Sequence, residues 1–176
     1  MDEAYNRPIP DSYWVVPGRF LAGAYPGEFD PAQTRLRLTA FLNFGFDTFI
    51  NLTDENELPP YHSILNEEAM FYDRLVSHLR FKITDKGLPS QRNMAEILDT
   101  IDNSLADEHK LYLHCWGGIG RTGTTVGCYL VRHGLTGKEA LEKLATLYNT
   151  ATQSKVRPIS PETQDQINFI LNWHET

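Results

Sequence analysis

Cys115 and Arg121 bracket five residues, Trp116, Gly117, Gly118, Ile119 and Gly120, in the segment His114-Cys115-Trp116-Gly117-Gly118-Ile119-Gly120-Arg121-Thr122. A thiolate is a strong nucleophile, and a guanidinium is a planar fork that matches two oxygens of a tetrahedral anion. Gly117, Gly118 and Gly120 allow backbone turns that a side chain would block. Successive amides can then face one concavity and hold an anion there. A helix starting near Arg121 would add its positive end. Such a field favours the thiolate form of Cys115. A nucleophile inside an anion cradle suits phosphoryl transfer through a cysteinyl-phosphate, with Trp116 to Arg121 as the phosphate-binding stretch.

Cleaving a phosphate ester also needs a proton for the leaving oxygen. Asp85, in Phe81-Lys82-Ile83-Thr84-Asp85-Lys86-Gly87-Leu88-Pro89, follows a predicted strand and opens a loop rich in Gly and Pro. It is the favoured acid. Asp54, in Thr53-Asp54-Glu55-Asn56-Glu57, also follows a strand, but its charge cluster reads as a solvated loop. Cys128 falls within an apolar helix and reads as a core residue.

The elements around the loop read as strands alternating with helices. Tyr13–Val16 and Arg19–Ala22 are short strands joined at Pro17-Gly18. Asp30-Pro31 opens a helix that carries Leu38, Phe41 and Leu42 inward and stops at Gly45. Thr48–Leu52 reads as a buried strand, residues 58–70 hold at most a short helix, and Leu75–Ile83 reads as a strand. Ser90 caps a helix whose stripe is Met94, Ile97, Leu98, Ile101 and Leu105. Leu111–Leu113 is a buried strand leading into the glycine loop, and a helix runs from about Arg121 to His133. Thr136 and Glu139 form a capping box. Ser160-Pro161-Glu162 is expected to start the last helix, with Ile167, Ile170 and Leu171 inward. The pattern implies an α/β fold with a central, mainly parallel sheet flanked by helices. Ligands bind at the carboxyl ends of such strands, where Cys115 falls. One domain over residues 1–176 is expected, with 1–12 as an extended arm.

The stretch from His114 to Thr122 resembles the signature loop of the protein tyrosine phosphatase superfamily. It is most similar to that of the small dual-specificity group, including kinase-associated phosphatases and compact microbial relatives. The resemblance runs from about Tyr13 to the C-terminus, though only the loop is highly specific. It implies that Cys115 attacks phosphorus and Arg121 holds the equatorial oxygens. Thr122 would hydrogen-bond the sulfur, and His114 would fix the loop without touching substrate. Asp85 matches the family's acid in position, although Lys82 stands where proline is common. A late glutamine orients water in this family; Gln166 fits that place better than Gln164, and both stay open. Lys155 and Arg157 are candidates for the rim.

The chain is 41% hydrophobic, enough for a packed core, and its net charge of −7 argues against broad nucleic-acid binding. No apolar run approaches a membrane span, and the N-terminus lacks the features of a secretory signal. Two cysteines make no disulfide framework, which favours a reducing, cytoplasmic setting. No metal or other cofactor is expected, because arginine and amides supply the positive charge. The expected partner is a phosphorylated protein or a small phosphate ester. Inositol-phosphate and phosphoinositide members of the superfamily it resembles often carry lysines inside this loop, so by that resemblance the absence of lysine between Cys115 and Arg121 implies phosphoproteins rather than inositol phosphates or phosphoinositides. A non-catalytic phospho-ligand module and a sulfur-transfer or arsenate-reducing enzyme are the competing readings.

Overall fold

A computed structural model describes residues 6–175. Strands β1 (Ser12–Val16), β2 (Phe20–Gly23), β3 (Thr48–Asn51), β4 (Ser77–Arg80) and β5 (Leu111–His114) form one sheet in the order β1-β2-β5-β3-β4. Only the β1–β2 pair is antiparallel. The helices are α1 (Pro31–Asn43), α2 (His62–Phe71), α3 (Gln91–Ala106), α4 (Arg121–Arg132), α5 (Gly137–Tyr148) and α6 (Gln164–Leu171), with a 3-10 turn at Thr152–Lys155. The expected α/β architecture is therefore present.

The two-residue period of the strands divides their side chains between two cores. Tyr13, Phe20, Ala22, Ile50, Leu111 and Leu113 pack with α3, α4, α5 and α6. Trp14, Leu21, Phe49 and Tyr112 face the other way, onto Leu38, Phe41 and Leu42 of α1 and Leu65 of α2. Central parallel strands covered on both faces read as continuous apolar runs, as Leu111-Tyr112-Leu113 does.

Several boundaries differ from the sequence reading. Residues 1–5 of the expected arm lie outside the described residues. From Asn6 the chain packs down: Ile9 is buried, Trp14 Nε1 donates to the Asn6 carbonyl at 3.3 Å, and Arg7 donates to the Thr150 carbonyl at 2.5 Å. The strand expected over Leu75–Ile83 is reduced to Ser77–Arg80. Beyond it, the Phe81 and Ile83 amides still bond to the Asn51 and Leu52 carbonyls. The last helix starts at Gln164, because Thr163 and Gln166 form a capping box. That phase buries Gln166 and Ile170 and leaves Leu171 exposed, against the expectation that Leu171 faces inward. No helix among the described residues is long and apolar enough to cross a membrane.

Gly127 on α4 fixes the approach of α6. A Cβ there would lie 2.3 Å from Ile170 Cδ1. Gly127→Ala should therefore destabilise the fold by about 1–3 kcal/mol, measured by urea denaturation. An unchanged midpoint and slope would show that the two helices separate at no cost.

Candidate active site

Parallel strands β2, β5, β3 and β4 all end on one side of the sheet, so their following loops converge there. The antiparallel β1 begins on that side, which brings Asp11 to the same place. Together these loops line a cavity of about 590 Å³ that includes Cys115, Arg121, Asp85, Gly117 and Gly120.

The loop after β5 is held by its carbonyls. The carbonyl of Cys115 accepts from His114 Nδ1 at 3.1 Å, and that of Trp116 from the Tyr25 amide at 2.7 Å. Gly117 O accepts from Gln153 Nε2 at 3.2 Å, Ile119 O from Ser160 Oγ at 2.8 Å, and Gly120 O from the Thr124 amide at 2.9 Å. Amides of Trp116 to Gly120, by contrast, have no protein acceptor among the described residues. Tied carbonyls and free amides are the arrangement that an anion nest requires. Gly118 is needed for it: its φ is +70°, and a Cβ would lie 2.3 Å from the Gly23 carbonyl carbon.

Arg121 is buried at the start of α4, and its side chain is 1% exposed. Its guanidinium makes a two-pronged contact with Glu57, at 2.8 Å to Oε2 and 2.6 Å to Oε1. It also donates to the Ile83 carbonyl at 3.1 Å and lies 3.1 Å from Asp85 Oδ1. The Arg121 guanidinium holds the Glu57 carboxyl below its usual range. Sequence reasoning placed residues 53–57 in a solvated loop and missed Glu57. The available signal was a carboxylate just past the carboxyl end of a buried strand.

The two candidate acids separate cleanly. Asp85 lines the cavity beside Arg121. Asp54 does not line it and instead pairs with Lys82 at 2.5 Å. Thr122 is buried, and its hydroxyl has no partner among the described residues. Gln166 lies behind Gly120 rather than lining the cavity. Its Oε1 accepts from the Glu162 and Thr163 amides at 3.0 and 3.1 Å, and its Nε2 lies 3.4 Å from the Gly87 carbonyl. Gln164 bonds to Asn168 on the outer face of α6. Arg157 lines the cavity; Lys155 lines a separate one with Arg7. Cys128 is buried in the core, where burial pushes its thiol well up. Gln153, Asp11 and Arg37 line the site without any sequence signal having singled them out.

His114 explains how the loop is anchored from below. Its Nε2 lies 2.7 Å from Tyr61 Oη, and its Nδ1 faces a carbonyl. A carbonyl only accepts, so Nδ1 carries the proton and Nε2 accepts from Tyr61. Burial pushes the imidazole down to about 3, so it is neutral at physiological pH. Burial also takes His78, 3.3 Å from Asn51 Nδ2, down to about 4.

The comparisons agree with this geometry. Fold and loop define a cysteine-based phosphatase of the protein tyrosine phosphatase superfamily. The chain belongs to the Swiss Army Knife protein, DSP-PTPase phosphatase domain family, whose profile matches residues 10–170. The dual specificity protein phosphatase CDC14B of Mus musculus is 27% identical over 130 residues, covering 70% of this chain and 24% of that protein. The chain thus spans about a quarter of that relative's length. Tk-PTP in its active form superposes with a TM-score of 0.67 at 25% identity, covering 92% of this chain and 94% of that one. PTPMT1, solved in complex with PI(5)P, shares the fold with a TM-score of 0.67 at 20% identity, over 92% of each chain.

Buried His114 and half-buried His78 give stability a defined pH dependence. Unfolded histidine takes up a proton near 6.5, whereas folded His114 and His78 resist until about 3 and 4. The unfolded state then binds more protons, so stability falls as pH drops from about 6.5 towards those values. Buried His114 contributes up to about 1.4 kcal/mol per pH unit within its window, and half-buried His78 contributes less because solvent screens it. Urea titrations at pH 7.5 and 5.5 should show this loss, reduced in His78→Gln. An identical pH slope in that variant would contradict the assignment.

Proposed function

We propose that the chain hydrolyses phosphate monoesters on proteins through a cysteinyl-phosphate formed at Cys115. The observation that carries this reading is the loop itself: its carbonyls are tied outward, its amides are free, and a buried, oriented Arg121 closes the cradle around Cys115. The loop amides and Arg121 bind the non-bridging oxygens of the phosphate. Cys115 Sγ attacks phosphorus, the S–P bond forms, and the P–O ester bond breaks. Asp85 gives its proton to the leaving oxygen. Water then attacks phosphorus, Asp85 takes back a proton, and the S–P bond breaks to release phosphate.

The remaining residues fit around these steps. Bound phosphate competes with the Asp85 carboxylate for Arg121, which turns Asp85 towards the leaving group. Glu57 keeps the guanidinium fork in register throughout. The unpartnered Thr122 hydroxyl is available to donate to the departing sulfur. Water placement by Gln166 would require its amide oxygen to release two backbone amides, so we assign that step to Asp85. His114 acts on the loop carbonyl and not on substrate. The mechanism needs a free thiol, and both cysteines are free, which suits a reducing cytoplasmic setting.

Charge at the mouth supports a single phosphate on a protein. Arg37 is paired with Asp11 and Glu28, and Arg157 with Glu162. Lys86, on the Asp85 loop, is the lining cation with no ion pair among the described residues besides these and Arg121. An inositol polyphosphate would want several uncompensated cations. The fold shared with PTPMT1, solved in complex with PI(5)P, keeps a phosphoinositide substrate as the second reading.

The test is turnover of p-nitrophenyl phosphate without added metal. Cys115→Ser should abolish it, and Asp85→Asn should lower kcat by about 10²–10⁴. Glu57→Gln preserves shape but removes the charge, and kcat/KM should fall at least about tenfold. Full activity in Cys115→Ser would defeat the mechanism. A preference for inositol polyphosphates or phosphoinositides over phosphopeptides would reverse the substrate assignment.

A further inference from the structure

The cavity mouth carries large apolar side chains that no packing contact accounts for. Phe29 and Val156 are each 85% exposed and Trp116 is 59% exposed, and all three line the cavity that holds Cys115. They come from three separate segments: the loop after β2, the signature loop, and the segment between the 3-10 turn and α6. We propose that Phe29, Trp116 and Val156 form a docking rim for an extended phosphoprotein segment with apolar residues flanking the phosphorylated one. This rests on the proposed phosphatase reaction and specifies its substrate.

Two observations select a peptide over an anionic bilayer as the occupant. An anionic lipid surface is recognised by clustered, uncompensated Lys and Arg. At this mouth, Arg37 lies 3.1 Å from Asp11 and 2.5 Å from Glu28, and Arg157 lies 3.1 Å from Glu162, so both guanidiniums are already neutralised. The chain as a whole carries −7, which a negative membrane would repel. A peptide needs neither form of attraction. Its phosphate is fixed by Arg121 and the loop amides, and its flanking side chains remove Phe29 and Val156 from water. Covering one such side chain strengthens binding by about tenfold.

The experiment compares two phosphopeptides that share the phosphorylated residue. One has Leu and Phe on either side of it, and the other has Ser and Gly. Wild-type protein should show a kcat/KM about tenfold or more higher for the apolar peptide. The double variant Phe29→Ser, Val156→Ser should lose this preference while turning over p-nitrophenyl phosphate as before. The inference is overturned if wild type shows no preference while hydrolysing the aryl ester, or if the double variant keeps the preference. It is also overturned if neither peptide is distinguished and the rim variant loses sedimentation with phosphatidylinositol-phosphate vesicles, which would make the rim a membrane contact. Failure of the phosphatase reading has a different signature: no Cys115-dependent turnover of the aryl ester at all.

Discussion

The site depends on one partly buried ion pair. Arg121 must be dry and fixed to bind a phosphate in a defined pose, yet a dry guanidinium without a counter-charge is costly. Glu57 resolves this with two short contacts from a loop on the neighbouring strand. Its side chain is 18% exposed, so the pair sits at the boundary between core and cavity. The Ile83 carbonyl takes another guanidinium proton from the segment after β4. The loops that follow β3, β4 and β5 therefore meet on one side chain, and misplacing any of them would loosen the fork. Asp85 reaches the same guanidinium, so phosphate binding and the position of the acid are coupled through Arg121.

The sheet makes this convergence possible. Its parallel strands deliver their following loops to one side, and the reversed β1 delivers the segment before it. Close backbone contacts then lock the parts together. The Gly23 and Gly118 backbones touch where no side chain fits, and the Ala24 amide bonds to the Asp11 carbonyl at 3.0 Å. Tyr61 from the start of the α2 region anchors His114 beneath the loop. Rigidity under the loop and accessible amides above it are the same structural fact seen from two sides.

Much of this was legible in the sequence because it is local. The loop glycines, the Ser90 cap and the Thr136–Glu139 box are set by neighbours within a few residues, and all appear where their residues predict. The continuous apolar run Leu111-Tyr112-Leu113 marked the buried strand. What escaped is long-range. Glu57 and Arg121 are 64 residues apart, and a carboxylate just past a buried strand does not by itself reveal which distant side chain it meets. The surroundings of Gln166 escaped for a related reason: its spacing suits a water-orienting role, but its amide oxygen accepts from the Glu162 and Thr163 amides in the cap of the last helix. Asp11 reaches the site only through the reversal of β1, which single-sequence periodicity does not reveal.

The most direct measurement is rapid acid quench during turnover of p-nitrophenyl phosphate, followed by mass analysis of the peptide containing Cys115. The cysteinyl-phosphate mechanism predicts a transient gain of one phosphoryl group on Cys115, formed with a burst of p-nitrophenol and lost during steady state. Turnover with no such adduct, and with a Cys115→Ser protein that still releases phosphate, would contradict it.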